Sequence, residues 1–341
     1  MIRRRLLVLA VLAALLATGL TACGEKQEDT DAAATAERVD LVLDYLPNAD
    51  HAGIYGAIGS GEFEAAALDV KPRTPSDPSA PLKLLASGKA DLAISYEPEL
   101  LLARAKGAKL VSIGALVQKP LTSIVSLGSD GNAIRRPAQL EGKKVGTAGI
   151  PYQDAYLKAI LERVGADPDR VRPVNVGFNL VPALLTKRVD AVLGMFWNVE
   201  GVELQRRDRK PVILKMDDIG IPTYNELVIV AREADVRSRG PLLRRFMRAL
   251  TRGHEALRED VDSGVDPLVK ANPDLNRNLQ RAQVRATLPV FFPTDEERPF
   301  GYQEPREWQA YTQWMAENEL IADAAVGQRA FTNEFLPGEG I

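Results

Sequence analysis

Cysteine is nearly absent from this chain of 341 residues: Cys23 is the only one, so no disulfide can form within the chain. Histidine is almost as scarce, with His51 and His254 alone. A metal site would have to use scattered carboxylates and one plausible histidine, His51, which is poor spacing for a defined centre. The GxSxG, HExxH, P-loop and GxGxxG motifs are missing in any suitable context, so we expect neither a cofactor nor catalytic residues.

The chain also lacks an excess of positive charge. It contains 43 lysines and arginines against 46 aspartates and glutamates, whereas a nucleic-acid-binding surface needs a basic face. Nucleic acid is therefore not an expected partner. With 45% apolar and 26% charged residues, the composition is that of a globular protein, and the length suffices for two lobes with cores of their own.

Apolar runs long enough for a confident membrane-spanning helix are missing as well. Arginines at positions 3–5 precede an apolar run at residues 6–20, a pattern typical of a secretory leader. Residues 20–23, LTAC, resemble the bacterial lipobox, which implies that residues 1–22 are a lipoprotein signal peptide and that the thiol of Cys23 carries a lipid. The alternative is an ordinary signal-peptidase site with a cysteine beside it by chance.

Residues 23–37 are small, polar and acidic, and they show no apolar periodicity. Such a composition predicts a flexible tether. A lipid anchor with a tether would hold the folded part near the outer side of the cell membrane.

The stretch at residues 41–55, LVLDYLPNADHAGIY, combines a strand with the start of a helix. Pro47 ends the strand because it has no amide hydrogen for the ladder, and helical spacing begins at Ala52. Open α/β sheets place ligands where a strand gives way to a helix. Four polar side chains lie at this point: Asp44, Tyr45, Asn48 and His51. The alternative is a helix cap with ordinary loop polarity.

An internal repeat predicts two similar lobes. Residues 84–93, LLASGKADLA, align with residues 183–192, ALLTKRVDAV, and each contains a helix end, an aspartate and a strand. Their separation is too long for a solenoid and suits two α/β lobes that meet at one cleft. The strands run into polar and aromatic residues in both copies: Ser95, Tyr96 and Glu97 in the first, and Trp197 and Asn198 in the second.

The expected lobe boundaries follow from the turn signals. A turn-rich break at residues 128–131 marks the start of the second lobe, and a strand at residues 227–230 marks the return. The expected bounds are residues 38–127 with 229–341 for lobe 1 and residues 128–228 for lobe 2. Two crossings make a two-segment hinge. Helices dominate after residue 241, and His254, among charges on an amphipathic helix, is expected to face solvent.

A glycine loop at residues 143–149, KKVGTAG, follows a strand of the second lobe. Its backbone N–H groups lie before a helix that Pro151 opens, a position that can bind an anion. Gly149 and Tyr152 would then contact the ligand. A tight turn alone explains the same pattern equally well.

Several segments carry a family resemblance. Residues 44–51, DYLPNADH, resemble the D-W-x-P-N-x-x-H opening of the thiamine-precursor binding proteins, a group that includes the yeast pyrimidine synthases. Residues 87–97, SGKADLAISYE, resemble that family's S-G-K-A-D-x-x-I-S-Y-x-E. Residues 104–107 and 197–203 also match in position and type. The chain departs from the family pattern at three aromatic positions: Tyr45 replaces a tryptophan, Trp197 a tyrosine and Val199 an aromatic residue.

The resemblance implies a bilobal periplasmic-binding-protein fold of type II, with two α/β lobes joined by a two-segment hinge. It implies the capture subunit of an ABC importer, with permease and ATPase partners, and we expect a monomer. The implied ligand is a thiamine pyrimidine precursor such as hydroxymethylpyrimidine or formylaminopyrimidine, and relatives take up riboflavin.

A heteroaromatic ligand needs aromatic faces and hydrogen-bonding groups at its edge. Tyr45, Tyr96 and Trp197 are expected to supply the faces. Asp44, Asn48, Gln118 and Glu203 are expected to supply the edge contacts. The complete expected ligand-binding set is Asp44, Tyr45, Asn48, His51, Ser95, Tyr96, Glu97, Gln118, Gly149, Tyr152, Trp197, Asn198 and Glu203.

Three alternatives remain open on the sequence. One is a pyrimidine-synthase-like enzyme with His51 as a reacting group, although the yeast enzymes use iron and a cysteine-rich segment. Another is a receptor for a different solute, such as alkanesulfonate or nitrate. An anion receptor would place arginine or lysine in the cleft, whereas Asp44, Glu97 and Glu203 have the opposite charge. The third is a tethered sensor without a transporter.

Overall fold

The structure is a computed structural model that describes residues 36–128 and 133–338. The expected signal peptide, the lipidation site at Cys23 and most of the expected tether lie outside the described residues. The described chain forms two five-stranded sheets with helices packed on both.

The strands follow the apolar runs of the sequence. They are β1 (Glu37–Val42), β2 (Leu68–Arg73), β3 (Leu92–Ser95), β4 (Leu110–Val117), β5 (Thr122–Leu127), β6 (Lys144–Thr147), β7 (Arg172–Asn175), β8 (Ala191–Phe196), β9 (Pro211–Lys215) and β10 (Leu227–Arg232). The residues of β3 and β4 are all buried, because helices cover both faces of the sheet.

The helices lie between and after these strands. They are α1 (Ala52–Gly59), α2 (Glu62–Ala65), α3 (Pro81–Ala86), α4 (Glu97–Ala105), α5 (Pro151–Arg163), α6 (Leu180–Leu185), α7 (Glu200–Arg206), α8 (Glu233–Ser238), α9 (Gly240–Glu259), α10 (Asp262–Ala271), α11 (Arg277–Phe291) and α12 (Pro305–Glu317). Among the described residues, no helix combines the length and apolar character needed to cross a bilayer.

The two sheets have the same topology, and each forms the centre of one lobe. Their strand orders are β2-β1-β3-β10-β4 and β7-β6-β8-β5-β9. In each sheet the first three strands are parallel, and the fourth runs antiparallel to both of its neighbours. The expected bilobal α/β fold is confirmed.

The internal repeat falls on equivalent elements of the two lobes. β3 and β8 hold the same place in their sheets, and each follows a short helix. Asp91 accepts the backbone N–H of Asp40 at 2.9 Å, and Asp190 accepts that of Lys144 at 2.8 Å. The repeated aspartate therefore holds the neighbouring strand, β1 or β6, in both lobes.

The hinge consists of two chain crossings between the sheets. The first crossing lies at residues 118–121, before β5, whereas the turn-rich break at residues 128–131 comes after β5. Because β5 pairs with β8 and β9, it belongs to the second sheet. The return crossing precedes β10, the antiparallel fourth strand of the first sheet, so each crossing delivers a strand into the middle of a sheet.

Glu226 joins the two hinge crossings. This fully buried side chain accepts the backbone N–H groups of Leu121 and Thr122 at 2.6 and 2.8 Å, and also the Thr122 hydroxyl at 2.7 Å. The Tyr224 hydroxyl donates to the same carboxyl group at 3.1 Å. Four donors from both crossings thus converge on one side chain, which fixes the crossings side by side.

The expectation that His254 faces solvent was wrong. Its ring is fully buried, stacks on Phe300 at 4.0 Å, and lies within 2.9 Å of the Leu250 carbonyl through Nδ1. The spacing Phe246, Leu250, His254 and Leu257 places the histidine on the apolar face of α9. Burial lowers the pKa of His254 to about 4, so the ring is neutral at pH 7.

Candidate functional site

A small cavity lies between the lobes, at the carboxyl ends of the parallel strands of both sheets. Its volume is about 20 Å³. The lining residues are Asp44, Tyr45, Asn48, Tyr96, Ala148, Ile150, Tyr152, Gln153, Leu180, Gly194, Phe196, Val199 and Glu200. Both lobes contribute, because β1, β3, β6 and β8 all end here.

Asp44 is the centre of a buried hydrogen-bond network on lobe 1. One carboxyl oxygen lies 2.8 Å from Nε2 of His51, and the other accepts the Tyr96 hydroxyl at 2.9 Å. Nδ1 of His51 accepts the backbone N–H of Asn48 at 3.1 Å. Because Nδ1 accepts a hydrogen bond, we assign the proton of the neutral ring to Nε2, so that His51 donates to Asp44. His51 is fully buried and holds the carboxylate in place behind the cavity wall.

Aromatic side chains form much of the cavity wall. Tyr96 of lobe 1 packs against Tyr152 and Phe196 of lobe 2, with ring centroids 5.4 and 6.4 Å apart. Tyr45 meets the edge of Phe178 at 4.9 Å, and its hydroxyl lies 3.5 Å from the Gly177 carbonyl. These pairs cross between the lobes and bring them together, and four of the rings also line the cavity: Tyr45, Tyr96, Tyr152 and Phe196.

Glu200 and Gln153 line the cavity and were absent from the predicted site. Glu200 accepts the backbone N–H of Phe196 at 2.8 Å, and Gln153 accepts that of Ala148 at the same distance. Burial raises the pKa of Glu200 to about 7, and the nearby carboxylates Glu203 and Asp44 act in the same direction. The cavity therefore holds one carboxyl group from each lobe, Asp44 and Glu200, beside an amide.

Trp197 lies outside the cavity lining, contrary to the expectation. Its Nε1 donates to the Pro120 carbonyl at 3.0 Å, and the ammonium group of Lys215 lies 4.3 Å from the ring centre. Phe196, one residue earlier, lines the cavity instead. Successive side chains of a strand point to opposite faces, so an error of one residue places the ring on the wrong side.

Seven other expected residues also lie outside the lining: His51, Ser95, Glu97, Gln118, Gly149, Asn198 and Glu203. Glu203 pairs with Arg207 at 3.2 Å, one turn along α7, at the partly exposed surface of lobe 2. Gln118 is buried in the first hinge crossing, where its backbone N–H donates to the Val290 carbonyl at 2.7 Å. Ser95 is buried at the end of β3 and pairs with Val228 of β10.

The glycine loop does not present a free set of donors to the cavity. The backbone N–H of Ala148 already donates to the Gln153 side chain at 2.8 Å. Gly149 has φ of +78°, and a Cβ atom there would lie 2.3 Å from Asn175. This glycine is therefore required by the turn itself, and it lies outside the cavity lining.

Glu97 belongs to the hinge rather than to the cavity. It is fully buried and accepts the backbone and side-chain N–H groups of Asn225 at 2.8 Å each, both through Oε2. Oε1 has no partner among the described residues. Burial raises the pKa of Glu97 from 4.5 to about 8, so the folded protein holds its proton at pH 7.

The stability of the protein is expected to fall between pH 4.5 and 8, partly through Glu97. A carboxyl group whose pKa is higher in the folded state stabilises it fully below pH 4.5, and this contribution is lost as the pH rises towards 8. The free energy of unfolding of Glu97→Gln should fall less steeply with pH than that of wild type. The slopes should differ by up to about 1.4 kcal/mol per pH unit. Urea unfolding across this range measures the difference, with the exposed Glu255→Gln as control. Parallel curves for wild type and Glu97→Gln would contradict the assignment.

Gly194 is expected to be essential for the shape of the cavity. It has φ of +105°, and a Cβ atom would lie 2.2 Å from Nε2 of Gln153. Gly194→Ala should therefore destabilise the protein by about 2–4 kcal/mol and displace Gln153. Gly142, with φ of +74° and open space around it, is a matched control in which only backbone strain of about 1 kcal/mol is expected. Equal losses in urea unfolding would show that the contact with Gln153 is unimportant.

The charge of the lining is one-sided. No arginine or lysine belongs to the described lining, whereas Asp44 and Glu200 do. Within residues 36–128 and 133–338, no group of three or more His, Cys, Asp or Glu side chains is placed to hold a metal ion. The lining can thus accept hydrogen bonds from a ligand and pack against an aromatic ring. It offers no cationic side chain for an anion.

The two lobes, the crossed hinge and the cavity at the strand ends define the class of periplasmic binding proteins. A solved structure of this class is similar over most of its length: the alkanesulfonate-binding protein SsuA of Xanthomonas axonopodis pv. citri, bound to MOPS. The TM-score is 0.66 at 17% identity, with 89% of this chain and 99% of that chain covered. At this identity the similarity concerns the fold.

Residues 48–262 match the family model described as NMT1/THI5 like. The chain is 33% identical over 299 residues to the formylaminopyrimidine-binding protein of Halalkalibacterium halodurans, with 87% of this chain and 90% of that protein covered. It is 26% identical to the 4-amino-5-hydroxymethyl-2-methylpyrimidine phosphate synthase of Legionella pneumophila, with 88% and 92% covered. The chain therefore belongs to the NMT1/THI5-like family, which confirms the resemblance found in the sequence.

Proposed function

We propose that this protein is the solute-binding subunit of an ABC importer and captures a thiamine pyrimidine precursor between its lobes. The observation that carries the proposal is the cavity between the lobes, where aromatic rings surround a carboxyl group from each lobe. An aminopyrimidine has a flat face for the rings and amino hydrogens for the carboxyl groups. The similarity to a formylaminopyrimidine-binding protein supports the same ligand class.

Binding requires the lobes to move apart and close again. A cavity of about 20 Å³ has room for roughly one water, whereas ligand pockets are usually above about 300 Å³. Rotation at the two hinge crossings opens such a cleft without changing either sheet. The ligand would then be enclosed between Tyr45 and Tyr96 on lobe 1 and Phe196 on lobe 2.

The proposal includes an extracytoplasmic site of action and no catalysis. A lipid on Cys23 would anchor the protein at the membrane, beside a permease and an ATPase that import the solute. His51 supports a binding role over a synthase role, because both ring nitrogens are engaged and the ring is fully buried. It therefore orients Asp44 and is not exposed to a substrate.

A thermal-shift panel tests the ligand class. Formylaminopyrimidine or hydroxymethylpyrimidine at about 100 times its Kd should raise Tm by about 5 °C. Thiamine and riboflavin test larger heteroaromatic ligands, and alkanesulfonate and nitrate test the anion alternative. A shift with an anion alone, or with none of these compounds, would overturn the proposed ligand class.

A further inference from the structure

A second polar contact joins the lobes outside the cavity lining. Asp50 lies in the short 3₁₀ turn Ala49–His51 before α1, and Asn198 follows β8 in the other lobe. Nδ2 of Asn198 donates to Oδ1 of Asp50 at 2.6 Å, and the Thr287 hydroxyl of α11 lies 3.1 Å from the same oxygen. Beside them, the Gln283 side chain of α11 donates to the Val199 carbonyl at 2.8 Å.

Two atoms of this contact have no hydrogen-bond partner among the described residues. They are Oδ2 of Asp50 and Oδ1 of Asn198, and both side chains are fully buried. If Asp50 is ionised, both atoms are acceptors without a donor, which is unfavourable in a dry interior. A proton on Oδ2 of Asp50 supplies the missing donor, because a carboxylic acid and a primary amide form two parallel hydrogen bonds. Donation from Nδ2 of Asn198 to Oδ1 is the first of these.

The charges around Asp50 favour the proton. Burial raises its pKa well above the ordinary value, and the carboxyl groups of Asp44 and Glu200 raise it further, against the donors Asn198 and Thr287. The neighbouring His51 ring is directed to Asp44. The charged side chains of the adjacent helices pair with one another at the surface: Asp262 and Asp266 of α10 with Arg277 and Arg281 of α11, and Glu203 with Arg207 at the end of α7.

We propose that Asp50 and Asn198 form a proton-dependent latch that stabilises the closed arrangement of the two lobes. Thr287 and Gln283 hold the latch in place from α11. Opening separates Asp50 from Asn198 and admits water, so Asp50 releases its proton on opening. Closing therefore takes up a proton: the closed form is favoured at low pH and weakens as the pH rises through the pKa of Asp50 in the closed form. The proposal depends on the bilobal fold and holds for any ligand.

The latch is tested by measuring the distance between the lobes without ligand. Spin labels are attached at two exposed positions through Lys270→Cys in lobe 1 and Arg206→Cys in lobe 2. A Cys23→Ser background ensures that only these thiols react. Double electron–electron resonance then gives the ratio of short to long distances at pH 5.5, 7 and 8.5. Far-UV circular dichroism confirms that each variant is folded.

In wild type the ratio of short to long distances should fall with rising pH, by up to about tenfold per pH unit for one coupled proton. Asp50→Asn keeps a two-bond amide pair with Asn198 and should remove the share of the pH dependence that one proton contributes. The share of Glu200, which lines the cavity between the lobes and has a pKa raised to about 7, would remain. Asp50→Ala should lower the ratio at pH 5.5 by about tenfold or more. Asn198→Ala tests the same pair from the other lobe if Asp50→Ala does not fold.

A pH-independent ratio in wild type, or only long distances at all three values, would overturn the proposal. So would a ratio unchanged in both alanine variants. Because no ligand is added, these outcomes are independent of the thermal-shift panel. A failed latch therefore leaves the proposed ligand class standing, and a failed panel leaves the latch standing.

Discussion

Replacing Glu226 with alanine is expected to lower the free energy of unfolding by about 3–5 kcal/mol. The carboxyl group accepts four hydrogen bonds, from Leu121, Tyr224 and twice from Thr122, and it is fully buried. Each buried donor left without an acceptor costs about 1–3 kcal/mol, and water entering the space left by the side chain would offset part of the sum. Urea unfolding at pH 8 measures the loss, because the pKa of Glu226 is raised to about 7 by burial.

The matched control for Glu226 is Glu233→Ala. Glu233 forms an ion pair with Arg104 at 3.0 Å instead of accepting from neutral donors, and its side chain is 26% exposed. Ion pairs in contact with solvent contribute about 0–1 kcal/mol, so a small loss is expected. If Glu226→Ala cost no more than this control, Glu226 would not be the residue that joins the two hinge crossings.

The second large effect is expected at the ligand site. Asp44→Asn should weaken binding of the preferred pyrimidine by about 10- to 100-fold, since a hydrogen bond to a charged group contributes about 1.5–3 kcal/mol. The amide also places a donor against either His51 or Tyr96, which both donate to the carboxylate. The variant would therefore lose one of the hydrogen bonds that hold the cavity wall as well as the negative charge. Isothermal titration calorimetry measures the affinity.

A matched control for Asp44 lies on β1, the strand that precedes it. Asp40 pairs with Arg38 at 3.0 Å on the partly exposed side of β1, away from the cavity. Asp40→Asn removes the same charge and should leave the affinity within about twofold of wild type, because an exposed charge at this distance is screened. An equal loss in both variants would show a general effect of charge, and an unchanged affinity in Asp44→Asn would remove Asp44 from the site.

The sequence was informative wherever local pattern and topology agree. The repeated helix-aspartate-strand unit predicted β3 and β8, and the apolar stretches predicted α9 and α12. On lobe 1 the stretch after β1 placed Asp44, Tyr45 and Asn48 in the cavity lining. A strand end followed by a helix is a strong local signal, because both the position and the direction of the side chains follow from it.

The sequence was less informative on lobe 2, where the direction of each side chain depends on packing. Trp197 and Phe196 are neighbours at the end of β8, and no local pattern tells which of them faces the other lobe. Glu200 and Gln153 lie in the first turn of their helices, where acidic and polar residues are common for reasons of capping alone. Glu226 has no signal in the sequence, because three of its four donors belong to Leu121 and Thr122, about a hundred residues away.

The central claim is that a flat heteroaromatic ring binds between the lobes, beside Asp44 and Glu200. A crystal structure of the protein with its best-binding pyrimidine tests this claim most directly. We predict the ring between Tyr45 or Tyr96 and Phe196, with its amino group within about 3 Å of a carboxyl oxygen of Asp44 or Glu200. A ring bound at the outer surface of either lobe, with the cavity between the lobes unchanged, would contradict the account.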